Sequence, residues 1–125
     1  MRLLLDTQIV LWQHGDVGPP LTHAAVAAIR DADELLVSTV TFAEIGVKCA
    51  IGKLRVNPDL RTRVVEHGCR LLTLDTEHGL AIAGLPLHHR DPFDRMILAQ
   101  AQVEQLSILT ADAVFTRYDV PVVLT

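Results

Sequence analysis

Short apolar runs recur along this chain, each followed by a stretch with helical spacing, and that alternation limits the fold more than any other feature. The first run is Leu3-Leu4-Leu5. Consecutive leucines with no polar alternation fit a strand buried on both faces of a parallel sheet. Leu35-Leu36-Val37-Ser38, Leu71-Leu72-Thr73-Leu74 and Ser107-Ile108-Leu109-Thr110 repeat the pattern. Val120-Pro121-Val122-Val123-Leu124 reads as a last strand on a sheet edge, where proline is tolerated. Strands alternating with helices predict an α/β fold: a three-layer α/β/α sandwich with a central parallel sheet and right-handed crossovers.

The segments between the strands carry helix punctuation. Ile9-Val10-Leu11-Trp12 is an apolar turn or helix start, and the glycines and prolines from Gly15 to Pro20 break regular structure. Thr22 is a credible N-cap for a helix from His23 to about Arg30. The acidic Asp31-Ala32-Asp33-Glu34 stretch reads as a solvated turn rather than a metal site. Thr39 or Thr41 opens a helix to about Ile51, stopped by Gly52. Pro58 precedes a helix from Asp59 to His67, ended by Gly68. Thr76 begins a short helix to about Ala83, and Gly84-Leu85-Pro86 stops it. Asp91-Pro92 is an N-cap followed by proline at the first helical position, starting a helix to about Gln105.

A chain of 125 residues predicts one domain, residues 1–125. Half of it is hydrophobic but only 4% is aromatic, so the core must be aliphatic. A formal charge of -4 argues against wholesale wrapping by nucleic acid and leaves room for a local basic patch. The spacing of Cys49 and Cys69 fits no zinc or redox motif. They read as small core residues in a reducing cytoplasm. No signal peptide precedes Asp6, and no apolar run has membrane-spanning length.

Four acids gather at one edge of such a sheet. Asp6 and Asp112 each follow a predicted strand, and parallel strands end at a common edge, where open α/β sheets build their sites. Glu44 lies early in the helix leaving the second strand. Asp94 lies in the first turn of the helix descending into the fourth, so it starts at the same rim. Ile97, Leu98 and Ala101 follow Asp94 by three, four and seven residues, which turns the face bearing Asp94 inward.

Two carboxylates about 4 Å apart repel by roughly 4 kcal/mol at an effective dielectric of 20. A domain's whole stability is only about 5–15 kcal/mol. Either the carboxyl pKa values rise or a divalent cation neutralises the group. Hard oxygen donors without cysteine or clustered histidine suit Mg²⁺ or Mn²⁺, which activate water and offset phosphoryl charge. Singly, each acid has a structural alternative. Asp6 can cap a helix. Glu44 can complete a Thr41-x-x-Glu44 capping box or pair with Lys48. Asp94 can complement a helix dipole, and Asp112 can hold a turn. Jointly, four acids on one rim are hard to explain as caps. Asp91, by contrast, is assigned the N-cap role.

These residues resemble the PIN domain, and more narrowly the VapC-type toxins of bacterial toxin–antitoxin pairs. Leu4-Leu5-Asp6-Thr7 resembles the opening strand and first acid of that family, and Ser38 through Glu44 to Lys48 its second acidic segment. The stretch from His89 through Asp91-Pro92-Phe93-Asp94-Arg95 to Ala101 is the most specific match. Leu109-Thr110-Ala111-Asp112 resembles the last acidic segment. Gln8 departs from the histidine of many relatives.

The resemblance implies a PIN-like fold and a Mg²⁺-dependent endoribonuclease with Asp6, Glu44, Asp94 and Asp112 as catalytic acids. It assigns Asp6 and Asp94 as metal ligands, with Glu44 and Asp112 orienting a water or a second ion. It also implies a homodimer and inhibition by a VapB-type antitoxin; the apolar surface on the helices, including Met96 and Leu98, is consistent with the dimer. Hydrolysis by a metal-activated water would leave a 5′-phosphate and a 3′-hydroxyl. Lys48, Lys53, Arg55, Arg90 and Arg95 are candidates to steer the RNA backbone past the acids, and Thr7 either bonds near the metal or ties down its turn. Two other functions stay open: an aspartyl-phosphate phosphatase, although Gln8 stands where such sites usually want a second aspartate, and a silent RNA- or protein-binding module.

Overall fold

The computed structural model describes residues Met1–Thr125. Five strands, β1 (Arg2–Leu5), β2 (Glu34–Ser38), β3 (Cys69–Leu72), β4 (Ser107–Thr110) and β5 (Val122–Leu124), form one sheet in the order β3-β2-β1-β4-β5. All four pairings are parallel. Six helices connect them: α1 (Thr7–His14), α2 (His23–Asp31), α3 (Thr39–Ala50), α4 (Leu60–Glu66), α5 (Thr76–Ala81) and α6 (Pro92–Glu104). Short 3-10 turns cover Ile82–Gly84 and Ala113–Arg117. This is the expected α/β fold, with the proline-bearing segment on the edge. No helix is long and apolar enough to cross a membrane.

The leucine run sorts itself between two cores because strand side chains alternate. Leu4 joins α6 residues Ile97, Leu98 and Ala101 in one apolar cluster. Leu3 and Leu5 join Ile9 and Val10 of α1, Ile45 of α3 and Val64 of α4 on the other face. All three leucines are fully buried. A shift of one residue in register would exchange these faces, so β1 is fixed lengthwise and Asp6 with it.

Order β3-β2-β1-β4-β5 makes β1 and β4 the pair at which the chain reverses direction across the sheet. β1 leads toward β2 on one side, and β4 leads toward β5 on the other. A crevice opens outside the strand ends at such a switch point. Asp6 and Asp112 are the residues that leave those two strands.

Several sequence expectations shift. The third strand is Cys69–Leu72 rather than Leu71–Leu74. Gly68, at φ +89, turns the chain into the sheet early. Asp75 already caps α5, so no strand can continue through Leu74. The stretch from Ile9 to Trp12 lies inside a full helix headed by Asp6. Glu34 is not in a solvated turn but opens β2, where Arg2 and Arg70 pair with it. Cys49 is exposed, and only Cys69 is buried. Leu98 is fully buried and supplies no outer surface for a dimer, whereas Met96 is half-buried against the same core.

Gln105 closes α6 in the left-handed region at φ 56 with an exposed side chain. That conformation strains any residue with a Cβ. Gln105→Gly is expected to stabilise the fold by about 0.5–1 kcal/mol, net of the freedom glycine adds to the unfolded chain. Urea denaturation reads this as a higher midpoint at constant slope; an unchanged or lower midpoint contradicts it.

Candidate active site

The site starts where β1 ends. Asp6 heads α1, and its Oδ1 accepts the Thr7 backbone N–H at 2.7 Å. Its Oδ2 accepts the Thr110 hydroxyl at 2.7 Å. Thr110 is the last residue of β4, and its Oγ1 in turn accepts the Asp112 backbone N–H at 3.0 Å. Neighbouring strands thus orient Asp6 and Asp112 through one threonine. The Thr7 and Thr41 hydroxyls meet at 3.0 Å in the interior, tying α1 to α3.

Glu44 sits on α3 one turn below Lys48, whose Nζ donates to Oε2 at 2.6 Å. Its other oxygen, Oε1, is buried and has no partner in the protein. The capping-box alternative does not occur: Ser38 caps α3 by accepting the Val40 N–H, and Thr41 faces Thr7.

Asp94 lies in the first turn of α6, which Asp91 caps by accepting the Asp94 N–H at 3.0 Å. His89 reaches over from the preceding loop. Its Nε2 stands 2.8 Å from Asp94 Oδ2 and donates to Asp112 Oδ2 at 3.1 Å. Its Nδ1 accepts the Asp91 N–H at 3.3 Å, so the hydrogen-bond network assigns the ring proton to Nε2. In this tautomer His89 is a donor that aligns two acids, and its nitrogen and the two carboxylates lie within 4.8 Å of one another, close enough to hold one ion if the ring proton is displaced. Sequence patterning alone gave His89 no role. Its signal was its place five residues before Asp94, within reach of the next helix's N-terminus.

Arg95 overturns one expectation. It is buried, and its guanidinium donates to the carbonyls of Ile82, Leu85, Pro86 and His89. It holds the loop that presents His89 and is not available to steer RNA. Tyr118 reinforces the same loop, accepting the His89 N–H at 2.7 Å and donating to Pro86 at 2.8 Å.

Asp6, Glu44, Asp94 and Asp112 line one cleft of about 480 Å³, with Thr7, Gln8, Trp12, Lys48 and Asp91 among the other walls. Asp91 therefore both caps α6 and adds charge to the cleft. Arg55 and Arg90 are exposed and do not line it. Burial is the main force pushing the Asp6 carboxyl up to about 6, against the bonds from Thr110 and Thr7 and with help from Glu44 and Asp112. Asp94 is pushed up to about 8, first by burial and then by the charges of Asp6, Asp91, Glu44 and Asp112. Lone buried oxygens and carboxyls that resist ionising are what a hard divalent cation would relieve, so the donor set fits Mg²⁺ or Mn²⁺.

The model of the PIN domain matches residues 3–121. This chain belongs to the PIN domain family. No curated protein sequence matches it. Among solved structures, this PIN domain is similar to a chain of VapBC2 from Rickettsia felis bound to a promoter DNA fragment, with TM-score 0.72 and 12% identity over 99% of this chain and 98% of that one. It is also similar to FitAcB from Neisseria gonorrhoeae, with TM-score 0.63 and 22% identity over 96% and 95%. A third similar chain is from DNA-bound VapBC of Salmonella typhimurium, with TM-score 0.68 and 18% identity over 98% and 97%. At these identities the likeness is one of fold.

The raised carboxyls set a pH dependence for the PIN domain without metal. A carboxyl whose folded pKa exceeds its unfolded value binds more protons folded than unfolded between the two, so stability falls as pH rises through that window. The window runs from 3.8 to about 6 for Asp6 and from 3.8 to about 8 for Asp94. In EDTA, Asp94→Asn is therefore expected to gain thermal stability relative to wild type from pH 5 to pH 8, and millimolar Mg²⁺ should close the gap. A melting-temperature difference that is flat with pH contradicts this.

Proposed function

We propose that this PIN domain is a metal-dependent endoribonuclease and the toxin of a VapBC-type toxin–antitoxin pair. The observation that carries the reading is the convergence of Asp6, Glu44, Asp94 and Asp112 in one cleft, with two of the carboxyls held well above their ordinary range. Asp6 and Asp94 would hold Mg²⁺, with Mn²⁺ as a substitute. The cation supplies Lewis acidity toward a phosphodiester and lowers the pKa of water.

The protein's own groups prepare that chemistry. Thr110 and the Thr7 N–H hold Asp6 in one rotamer, so no reorganisation is needed when charge develops. Glu44 Oε1, buried and unpartnered, is the oxygen free to accept a proton from water. His89 fixes Asp112 beside Asp94. Lys48 lines the cleft and offsets part of the repulsion an RNA backbone would meet there. The expected products are a 5′-phosphate and a 3′-hydroxyl.

The partner is read from the similar folds, which include VapBC2 bound to promoter DNA. A small VapB-type antitoxin would hold this chain inactive. A second copy of the chain completes the assembly, for which exposed Val47, Ile51 and Val65 offer apolar surface. Cytoplasmic conditions suit its two free thiols.

Single-stranded RNA incubated with the purified chain tests the reading. Mg²⁺-dependent cleavage with 5′-phosphate ends is expected. Asp6→Asn or Asp94→Asn should each lower kcat/KM by about two to three orders of magnitude, the scale of losing one preorganised electrostatic group. Cleavage that survives both EDTA and these substitutions contradicts it.

A further inference from the structure

A second cleft of about 400 Å³ opens beside the acidic one and shares Gln8, Trp12 and Lys48 with it. Its remaining walls include Val17, Leu54 and Lys53, and no carboxylate lines it. Trp12 is half-buried on the boundary between the two clefts. Gly18 sets the ring in place. At φ +82 its backbone lies so close to the indole that a Cβ there would stand 1.9 Å from Cδ1 and 2.2 Å from Nε1. Trp12 also rides on α1, the helix headed by Asp6, six residues and about 9 Å of helix axis away. The indole is therefore rigidly tied to the acid. Lys48 is committed to Glu44, whereas Lys53 is exposed and forms no ion pair.

We propose that this second cleft is a nucleobase subsite. An unpaired base flanking the phosphate over the acids stacks on Trp12. Lys53 meets that nucleotide's phosphate, and the Gln8 amide, with its donor and acceptor, meets the base edge. The proposal rests on the nuclease reading and adds how the strand is held. Stacking on one aromatic ring improves affinity by about 5- to 150-fold. A polyanion facing five carboxylates needs both that gain and a nearby free cation. A basic peptide would be drawn to the acids but repelled by Lys53. An acidic peptide would meet Lys53 but gives the indole no flat partner.

Trp12 is the chain's single tryptophan, so its fluorescence reports on the subsite directly. The Asp94→Asn chain is titrated with oligoadenylate and oligouridylate hexamers, an abasic ribose-phosphate hexamer and poly-glutamate, so that no strand is consumed. Oligonucleotides with bases should quench Trp12 and bind at least about 5-fold more tightly than the abasic strand. In the otherwise native chain, Trp12→Leu should raise KM for RNA by about 5- to 150-fold, while Trp12→Phe restores most of it. Lys53→Gln should flatten the salt dependence of binding. Equal quenching by the abasic strand or by poly-glutamate overturns the proposal, as does an unchanged KM in folded Trp12→Leu. Base-dependent quenching with no cleavage by wild type would remove the nuclease reading and leave the subsite. Cleavage without base-dependent quenching would remove the subsite alone.

Discussion

Carboxylates crowd at the point where β1 and β4 release their chains, and the rest of the molecule is arranged so that they stay there. Left alone, such groups would turn into solvent or slide apart. For Asp6, the restraint comes first from structure that has no charge of its own. Leu3, Leu4 and Leu5 are sealed between two aliphatic cores, so β1 has one register, and the residue after Leu5 has one position. Thr110 then fixes where the Asp6 carboxylate faces. The electrostatic strain is met by the stability of the sheet, and a cation that cancels it recovers that energy as binding.

A second layer of restraint surrounds the acids. The loop before α6 has no regular structure, yet it carries His89, whose ring must stand between Asp94 and Asp112. Arg95 makes this possible by donating to four carbonyls of that region from a buried position. An arginine spent in this way is withheld from the surface of a chain whose net charge is -4. Positioning the acids evidently outweighs one more surface cation. Cationic help at the cleft comes instead from Lys48, with Lys53 free next door.

Much of this was legible in the letters. Uninterrupted apolar runs marked the buried strands, and apolar residues three, four and seven positions after Asp94 pointed α6 the right way round. The convergence of the four acids followed from where parallel strands end. What escaped was tertiary. Nothing local distinguishes Arg95 from an exposed arginine, because its partners are backbone carbonyls up to 13 residues away. Leu98, although it marked the inward face of α6, was also counted as dimer surface, because periodicity does not say how wide the covered face is. The third strand began two residues early because pairing with β2, not its own composition, set its ends. Trp12 gave no hint of its place between two clefts, since that depends on how closely Gly18 approaches it.

Calorimetric titration with Mn²⁺, repeated in buffers of different ionisation enthalpy, tests most directly whether the acid cluster exists to receive a cation. Carboxyls raised to about 6 and about 8 hold protons at mildly acidic pH that a cation must displace. Saturable binding with proton release at pH 6, shrinking toward zero by pH 9 and lost in Asp94→Asn, is the predicted result. Heats that do not depend on buffer, or no saturable binding at millimolar Mn²⁺, would contradict it.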